Sequence, residues 1–213
     1  MTRVKICGIM SMNDLSCAVQ NGADAVGFVV EVPESHRSVS ADFARELIER
    51  VPVFTASVAV IVPENIAEAE ALALETGADI LQIHGKFGRE ELNKLRGLVS
   101  QKIVAALPAV EGTYGFAKSI EGAVDGILID TYREDKMGGT GEVHDWSISA
   151  GIVTSLNLPV ILAGGLTPGN VSEAIGKVRP YAVDVSGGVE TNKKKDCDKI
   201  AAFISEVRSC QQL

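Results

Sequence analysis

Short apolar runs alternate with amphipathic stretches eight times along this chain of 213 residues. The apolar runs are rich in Val, Ile and Leu, which is typical of parallel strands that are covered on both faces. The amphipathic stretches carry helix signals, such as Ser40 before the second and Gly77 after the third. This alternation predicts an α/β fold, a (β/α)8 TIM barrel. The eight predicted strands are residues 4–6, 25–32, 56–62, 80–84, 103–107, 126–130, 160–163 and 182–185.

An open, doubly wound parallel sheet is the alternative fold for the same alternation. We prefer the barrel because no GxGxxG motif follows the first strand and because the glycines cluster late in the chain. No linker or low-complexity segment interrupts the pattern, so we expect residues 1–213 to form a single domain. The segments 22–26 (GADAV) and 77–81 (GADIL) are either one structural unit used twice or two helix ends that converged on the same residues.

Charge and apolar patterning argue against two classes of partner, nucleic acids and membranes. The formal net charge is −8, whereas a nucleic-acid-binding domain carries a basic face. No apolar run approaches the roughly 20 residues of a membrane-spanning helix. The first residues lead directly into a strand rather than a signal peptide, and the cysteines form no CxxC pair. We therefore expect a cytoplasmic protein in which Cys7, Cys17, Cys197 and Cys210 are free thiols.

The predicted strand ends differ in chemistry from the strand bodies. Barrel enzymes carry their catalytic groups at the carboxyl ends of the strands. The bodies here are aliphatic, whereas the ends are polar, small or reactive. We therefore predict a site at this end of the barrel. The residues concerned are Cys7, Ser35, His36, Arg37, His84, Asp130, Gly164, Gly165, Ser186, Gly187 and Gly188.

Two glycine pairs follow the last two predicted strands, Gly164-Gly165 and Gly187-Gly188. Glycines let backbone N–H groups approach an anion closely, and these two loops form the usual phosphate site of a barrel. Each pair could instead make only a tight turn. Their position on consecutive strands favours a phosphate site.

Cys7 and Lys5 are two residues apart and share one face of the first strand. A cationic neighbour lowers the pKa of a thiol, so we expect Lys5 to favour the thiolate of Cys7. A small core residue is the alternative interpretation of a cysteine in a strand. Gly8 follows directly, which places Cys7 at the end of the strand.

Four further polar residues are candidates. Arg37 suits a planar carboxylate, with a solvated surface arginine as the alternative interpretation. Asp130 could be a general acid, a metal ligand or a helix cap, and Asp184, inside the last strand, must be hydrogen-bonded or paired, with a structural role or a substrate hydroxyl as its alternatives. His84 has too few neighbours of its kind for a metal site, so we expect no metal. The glycine-rich run 137–141 is either a lid or a plain flexible loop.

Four short motifs occur in a fixed order: KICG (5–8), GGTG (138–141), AGGL (163–166) and DVSGGVE (184–190). With SHRSV (35–39), QIHG (82–85), DT (130–131) and DW (145–146), they span essentially the whole chain. In these motifs the chain resembles the phosphoribosylanthranilate isomerase family of tryptophan biosynthesis.

The resemblance implies a cofactor-free and metal-free Amadori rearrangement of N-(5′-phosphoribosyl)anthranilate to 1-(2-carboxyphenylamino)-1-deoxyribulose 5-phosphate. It implies that Asp130 is the general acid on the ribose ring oxygen, that Cys7 is the general base at C2′, and that Arg37 holds the anthranilate carboxylate. Asp130 must then be protonated when turnover starts, so its pKa should be raised. The partner is a small-molecule substrate, and the chain is a monomer or a homodimer. The further substrate residues are His84 and Asp184, and the phosphate residues are Gly139, Gly141, Gly164, Gly165, Ser186, Gly187 and Gly188.

Three residues depart from the common family pattern: His36 stands where proline is frequent, His144 where phenylalanine is common, and Gly187 where a second serine is frequent. Alternative functions remain. A related isomerase acts on an aminoimidazole ribotide, but it uses two aspartates where the first strand here ends in Cys7. An indole-glycerol phosphate synthase needs a lysine at the mouth, and Lys5 lies below it. A non-catalytic phosphosugar-binding barrel would be indifferent to the loss of Cys7 and Asp130.

Overall fold

The computed structural model describes residues 1–85, 87–131 and 145–210. Strands and helices alternate through these residues as the sequence predicts, and most boundaries agree to within two residues. The strands are β1 (Arg3–Cys7), β2 (Ala25–Val30), β3 (Ser38–Val39), β4 (Ala56–Ile61), β5 (Ile80–His84), β6 (Lys102–Pro108), β7 (Gly126–Asp130), β8 (Val160–Leu162), β9 (Ala182–Val185), β10 (Glu190–Thr191) and β11 (Lys194–Lys195). The helices are α1 (Met12–Gln20), α2 (Ala41–Ile48), α3 (Ile66–Thr76), α4 (Arg89–Arg96), α5 (Thr113–Ile120), α6 (Trp146–Ser155), α7 (Val171–Val178) and α8 (Cys197–Ser209), with a short 3-10 helix at Gly187–Val189.

Eight parallel strands close into a barrel in the order β1-β9-β8-β7-β6-β5-β4-β2. The closure is direct because β1 pairs with β9 on one side and with β2 on the other. The predicted (β/α)8 barrel is therefore confirmed, and the open sheet is excluded. Two additions were not predicted: β3 extends the edge of β2, and β10 and β11 form a small antiparallel hairpin after the last barrel strand.

Alternation along each strand divides the apolar side chains between two layers. One side chain in two points outward and packs under the helices, as Ile6 and Phe28 do in the main core, to which Phe203 of α8 also belongs. The others point into the barrel, where two small apolar groups fill the interior. Lys5, Gln82 and Asp184 are buried polar residues of these strands. A buried charge requires a partner, so these three side chains are candidates for contact with one another.

Three aspartates stand directly before β2, β5 and β7, and each ties its strand to the strand that precedes it in the chain. Each carboxylate accepts a hydrogen bond from a backbone N–H at the start of that preceding strand. The two GAD segments therefore share one hydrogen bond, and a third aspartate, which stands outside any GAD segment, makes the same bond. The bonds join Asp24 to Val4 at 2.7 Å, Asp79 to Ser57 at 2.8 Å and Asp125 to Ile103 at 2.9 Å.

The expectation of four free thiols was wrong for two of them. Cys17 of α1 and Cys197 at the start of α8 form a disulfide, with 5.7 Å between their Cα atoms. The last helix packs beside the first where the barrel closes, so residues 180 positions apart become neighbours, which spacing alone does not reveal. Cys7 and Cys210 are free. Within the described ranges, no helix combines the length and the apolar character that a membrane crossing requires.

Candidate active site

Two cavities open at the carboxyl ends of the barrel strands. The larger, of about 580 Å³, is lined by the glycine loops after β8 and β9. The smaller, of about 110 Å³, is lined by Cys7 and His84. The two cavities share Arg37, Asp130, Asp184 and Ser186. The structure thus brings together every predicted site residue that it describes. Gly139, Gly141, the predicted lid at 137–141 and His144 lie outside the described residues.

Lys5 and Cys7 point into the barrel from β1, as their spacing predicts. The Lys5 ammonium donates a hydrogen bond to the side-chain oxygen of Gln82 at 2.8 Å and lies 3.1 Å from Oδ1 of Asp184. Burial lowers the pKa of Lys5, but Asp184 and Cys7 together raise it by more than burial lowers it. The net pKa is raised, so the side chain stays cationic. A permanent positive charge therefore lies inside the barrel, below the mouth.

The balance at Cys7 differs from the sequence expectation. Burial raises the pKa of the thiol, and this effect exceeds the lowering by Lys5; Asp184 raises the pKa further. The expectation that Lys5 makes Cys7 a thiolate was therefore wrong in its net result. The physical reason is desolvation: Cys7 is only 7% exposed, and a thiolate loses more hydration there than the charges of Lys5 and Lys195 return. Unliganded Cys7 is a thiol at neutral pH.

Lys5 also fixes the protonation of His84 through Gln82. Because an ammonium only donates, the Gln82 oxygen must accept from Lys5, and the Gln82 amide nitrogen must then donate. That nitrogen lies 2.8 Å from Nε2 of His84, which therefore accepts and leaves the ring proton on Nδ1. Burial, assisted by the charge of Lys5, lowers the pKa of His84 to about 4. His84 is a neutral hydrogen-bonding group in this cavity.

Asp130 is the last residue of β7 and reaches both cavities. Its Oδ1 accepts a hydrogen bond from the backbone N–H of Thr131 at 2.8 Å. Burial and the negative charge of Asp184 raise its pKa to about 6, against the opposing effects of the Thr131 N–H and of Lys5. This is the direction that a general acid at neutral pH needs. Among the described residues, no group of three or more potential ligands could hold a metal ion.

The carboxylate of Asp184 lies beside the ammonium group of Lys5, inside the barrel. Its carboxylate pairs with Lys5, but no group in the described ranges donates a well-formed hydrogen bond to its buried Oδ1. A buried carboxylate oxygen that is held by an ion pair alone has unused hydrogen-bonding capacity, and a ligand hydroxyl would fill it. Asp184 lines both cavities, so this acceptor lies within the site. The structural role and the substrate contact that the sequence left open are thus compatible.

The glycine loops meet at close range. Gly164 and Gly165 have φ values of +87° and +63°, which residues with a side chain rarely adopt. A Cβ on Gly164 would collide with Thr131, and one on Gly188 would collide with the carbonyl of Leu166. The loops after β8 and β9 therefore pack backbone against backbone beside the larger cavity. This arrangement leaves space for an anion to approach main-chain N–H groups.

Arg37 is not an isolated cation, and the sequence did not anticipate its partners. Its Nε and Nη2 donate to the two carboxylate oxygens of Glu190 at 2.7 and 2.8 Å. The fully buried ammonium of Lys195 donates to the same carboxylate at 2.7 Å. Burial would raise the pKa of Glu190, but the hydrogen bonds from Arg37 and Lys195 lower it to about 2. His36 lies 3.6 Å from this carboxylate at the rim of the cluster.

Comparison with known proteins places this chain in a known family. A family model described as N-(5′-phosphoribosyl)anthranilate (PRA) isomerase matches residues 4–206. A relative named N-(5′-phosphoribosyl)anthranilate isomerase, from Methanothrix thermoacetophila, is 48% identical over 99% of this chain and 100% of its own length.

Two solved structures extend the comparison to the fold. A structure of monomers generated from the dimeric phosphoribosylanthranilate isomerase of Thermotoga maritima has a TM-score of 0.82 at 33% identity, and the match covers 98% of this chain and 100% of that chain. A phosphoribosylanthranilate isomerase in complex with reduced 1-(o-carboxyphenylamino)-1-deoxyribulose 5-phosphate has a TM-score of 0.81 at 33% identity, with the same coverage. The chain, whose barrel mouth carries the cysteine, the aspartate and the glycine loops described above, therefore belongs to the N-(5′-phosphoribosyl)anthranilate isomerase family.

Proposed function

We propose that this chain converts N-(5′-phosphoribosyl)anthranilate to 1-(2-carboxyphenylamino)-1-deoxyribulose 5-phosphate, with Asp130 as general acid and Cys7 as general base. The observation that carries the assignment of the two residues is their position in one small cavity at the barrel mouth, where burial raises the pKa of Asp130 to about 6. The reaction is a step of tryptophan biosynthesis, and its phosphosugar substrate is in keeping with the cytoplasmic location expected from the sequence.

Two proton transfers, one by Asp130 and one by Cys7, lead to an enolamine intermediate. Asp130 gives its proton to the ribose ring oxygen, the C1′–O bond breaks, and the nitrogen lone pair forms an iminium ion. Cys7, once its thiol proton has passed to solvent, then removes the proton from C2′, and the electron pair of that C–H bond neutralises the iminium to give an enolamine. Tautomerisation of the enolamine yields the ketone. Each positioned proton transfer contributes about 10²–10⁴-fold in rate.

The iminium ion supplies what the free site lacks for Cys7. In the unliganded site, burial keeps Cys7 as a thiol. A cation next to the thiol lowers its pKa, and the iminium adds such a charge to that of Lys5 at the moment when the base is needed. The phosphate and the carboxylate of the substrate act on Asp130 in the opposite sense, because added negative charge raises the pKa of a carboxyl group.

Two anchors at opposite ends of the substrate hold it between these groups. The glycine loops with Gly164, Gly165, Ser186, Gly187 and Gly188 bind the phosphate through main-chain N–H groups, and Gly139 and Gly141 stay predicted members of this set. Arg37 binds the anthranilate carboxylate. Asp184 accepts a hydrogen bond from a ribose hydroxyl. Neutral His84 makes a hydrogen bond to the substrate without adding charge to the site. Holding both ends converts the proton transfers into steps within one complex.

The test is the loss of anthranilate-type fluorescence when the protein meets phosphoribosylanthranilate made in situ. We expect rapid loss with the wild type and a fall of about 10²-fold or more in both Cys7→Ser and Asp130→Asn. Cys210→Ser and Asp42→Asn are matched controls, because Cys210 is a free cysteine at the end of α8 and Asp42 lies exposed on α2. Unchanged fluorescence with folded wild type would refute the proposed reaction.

The same samples separate the remaining possibilities. Turnover of an aminoimidazole ribotide in place of phosphoribosylanthranilate would favour the related isomerase, and phosphate binding without turnover would favour a binding-only barrel. The oligomeric state stays a prediction of monomer or homodimer, and light scattering during size-exclusion chromatography measures it. A small-molecule substrate is the only partner that the proposed reaction needs.

A further inference from the structure

The hairpin of β10 and β11 delivers two charged residues to the back of Arg37. Glu190 and Lys195 are direct partners in its antiparallel register. The Lys195 ammonium is completely buried and also donates to the backbone oxygen of Ser186 at 3.1 Å. Ser186 in turn donates to the backbone oxygen of Cys7 at 3.0 Å. The hairpin is thus anchored to the end of β1, where the proposed base lies.

Glu190 holds only one edge of the Arg37 guanidinium. The bonds use Nε and Nη2, and no other described residue accepts a hydrogen bond from Nη1. The aliphatic stem of Arg37 lies on Gly8, where a Cβ would collide with Cδ of the arginine. The guanidinium is therefore fixed in orientation, with the edge formed by Nη1 and Nη2 left for a second planar anion. Arg37 lines both cavities, so a ligand can reach this edge.

Charge balance explains why a buried lysine accompanies this pair. Arg37 and Glu190 alone carry no net charge, and a neutral pair attracts a carboxylate weakly. Lys195 adds one positive charge, so the three residues together carry a net charge of about +1. Because its side chain has no exposure, Lys195 cannot touch the substrate itself. Its contribution must pass through Glu190 and the field in the cavity.

We propose that Glu190 and Lys195 are positioning residues for the anthranilate carboxylate: Glu190 aims the free edge of Arg37, and Lys195 offsets the charge of Glu190 so that Arg37 remains an anion receptor. This inference rests on the proposed role of Arg37. It assigns a function to the hairpin that follows the last barrel strand, and it predicts that specificity for a carboxylated aryl amine depends on a lysine that the ligand never contacts.

The experiment compares two ligands that differ by one group. One is the reduced form of the product 1-(2-carboxyphenylamino)-1-deoxyribulose 5-phosphate. The other is the same compound with a phenylamino group that lacks the carboxyl group. The ratio of their dissociation constants measures the preference for the carboxylate, and effects on the shared phosphate cancel. For the wild type we expect a preference of about tenfold or more, the size of a charge-assisted hydrogen bond. Arg37→Ala should reduce the ratio to about 1.

The variants of the hairpin test the inference itself. Lys195→Met leaves Glu190 free to neutralise Arg37, so the ratio should fall on the order of fivefold. Glu190→Gln combined with Lys195→Met returns the net charge to that of the wild type, and the ratio should recover to within about twofold. A merely structural role would weaken both ligands alike and would show no recovery. Circular dichroism and thermal melting verify the fold of each variant.

The outcomes distinguish the proposed carboxylate contact of Arg37 from the proposed role of the hairpin. If Arg37→Ala leaves the ratio unchanged, the proposed carboxylate contact fails, and the hairpin proposal fails with it. If Arg37→Ala abolishes the preference but Lys195→Met preserves it, only the hairpin proposal is overturned. If Lys195→Met does not fold, the double variant, which keeps the net charge of the cluster at that of the wild type, decides: a ratio near that of the wild type supports charge compensation, and a ratio near 1 refutes it.

Discussion

The ammonium group of Lys5 lies 3.1 Å from the carboxylate of Asp184, across the strand pair that closes the barrel. Lys5 lowers the pKa of both Cys7 and Asp130, so its removal should raise both. We expect Lys5→Met to reduce kcat/KM by about tenfold or more, because a higher pKa of Cys7 lowers the fraction of the enzyme that carries the thiolate base. The alkaline limb of the pH profile of kcat/KM should move to higher pH. Steady-state assays from pH 5 to pH 11 measure this shift.

Arg3→Met is the control for Lys5→Met. Arg3 lies on the same face of β1, but at the opposite end of the barrel, where it stacks on the ring of Tyr181 at 4.4 Å. Its removal takes away a cation without changing the field at the mouth, so the pH profile should not move. Equal shifts in the two variants would show that the effect of Lys5 is not local.

The ionised carboxylate of Asp130 should lower the stability of the folded protein, although the reaction requires this residue. Its pKa of about 6 in the folded protein lies above the ordinary value of 3.8, so ionisation destabilises the folded state as the pH rises through this window. Asp130→Asn removes the charge. We expect this variant to be inactive but more stable than the wild type by up to roughly 3 kcal/mol at pH 8. At pH 4 the carboxyl is protonated in the folded wild type, and the difference should largely vanish.

Urea unfolding at the two pH values measures this difference. The sign is the critical feature, because the side chain of a structural aspartate would contribute stability rather than remove it at pH 8. Equal stability of wild type and Asp130→Asn at both pH values would mean that the carboxyl is not desolvated in solution.

The glycine loops predict a steric effect on phosphate affinity. Gly164→Ala should raise both the KM of the substrate and the inhibition constant of inorganic phosphate by about tenfold or more, because a Cβ there meets Thr131 and a φ of +87° strains alanine. Gly176→Ala in α7 is the matched control, since nothing lies within 4 Å of its new Cβ. The control should be neutral or slightly stabilising. An unchanged phosphate affinity in Gly164→Ala would argue against the proposed anion site.

The aspartates before the strands predict a loss of stability without a loss of activity. Asp79 accepts bonds from both the backbone N–H and the hydroxyl of Ser57, which is buried. Asp79→Ala should lower the free energy of unfolding by about 1–3 kcal/mol, because a buried donor loses its acceptor. Asp79→Asn retains an oxygen and should recover most of this loss. A change in kcat with unchanged stability would contradict a purely structural role.

The barrel was predictable because its signals are local. Each strand is buried on both faces and therefore reads as a continuous apolar run, and caps such as Ser40 and Gly77 mark helix ends within a few residues. The site was predictable to the same extent, since Cys7 and Asp130 are the terminal residues of their strands. Parallel strands bring such residues to one end of the barrel whatever lies between them in sequence.

The electrostatic environment was not predictable in the same way. Arg37 and Glu190 are 153 residues apart, and nothing in the spacing of either indicates the other. Lys195 stands in a run of charged residues, which normally faces solvent, yet the hairpin turns it inward. Asn192 and Lys193 both have positive φ and form its two-residue turn. Asn192 is a residue that tolerates this conformation, and it was the one available signal for the hairpin.

The three bonds from aspartates to strand starts divide the barrel into units. They join β1 to β2, β4 to β5 and β6 to β7, and none of them crosses from one of these pairs to the next. If the chain is broken between β5 and β6, both partners of each bond stay in the same fragment: two bonds remain in the first fragment and one in the second. A break between β4 and β5 would instead separate Ser57 from Asp79. The first pair of fragments is the better choice for reassembling this barrel from separately expressed pieces.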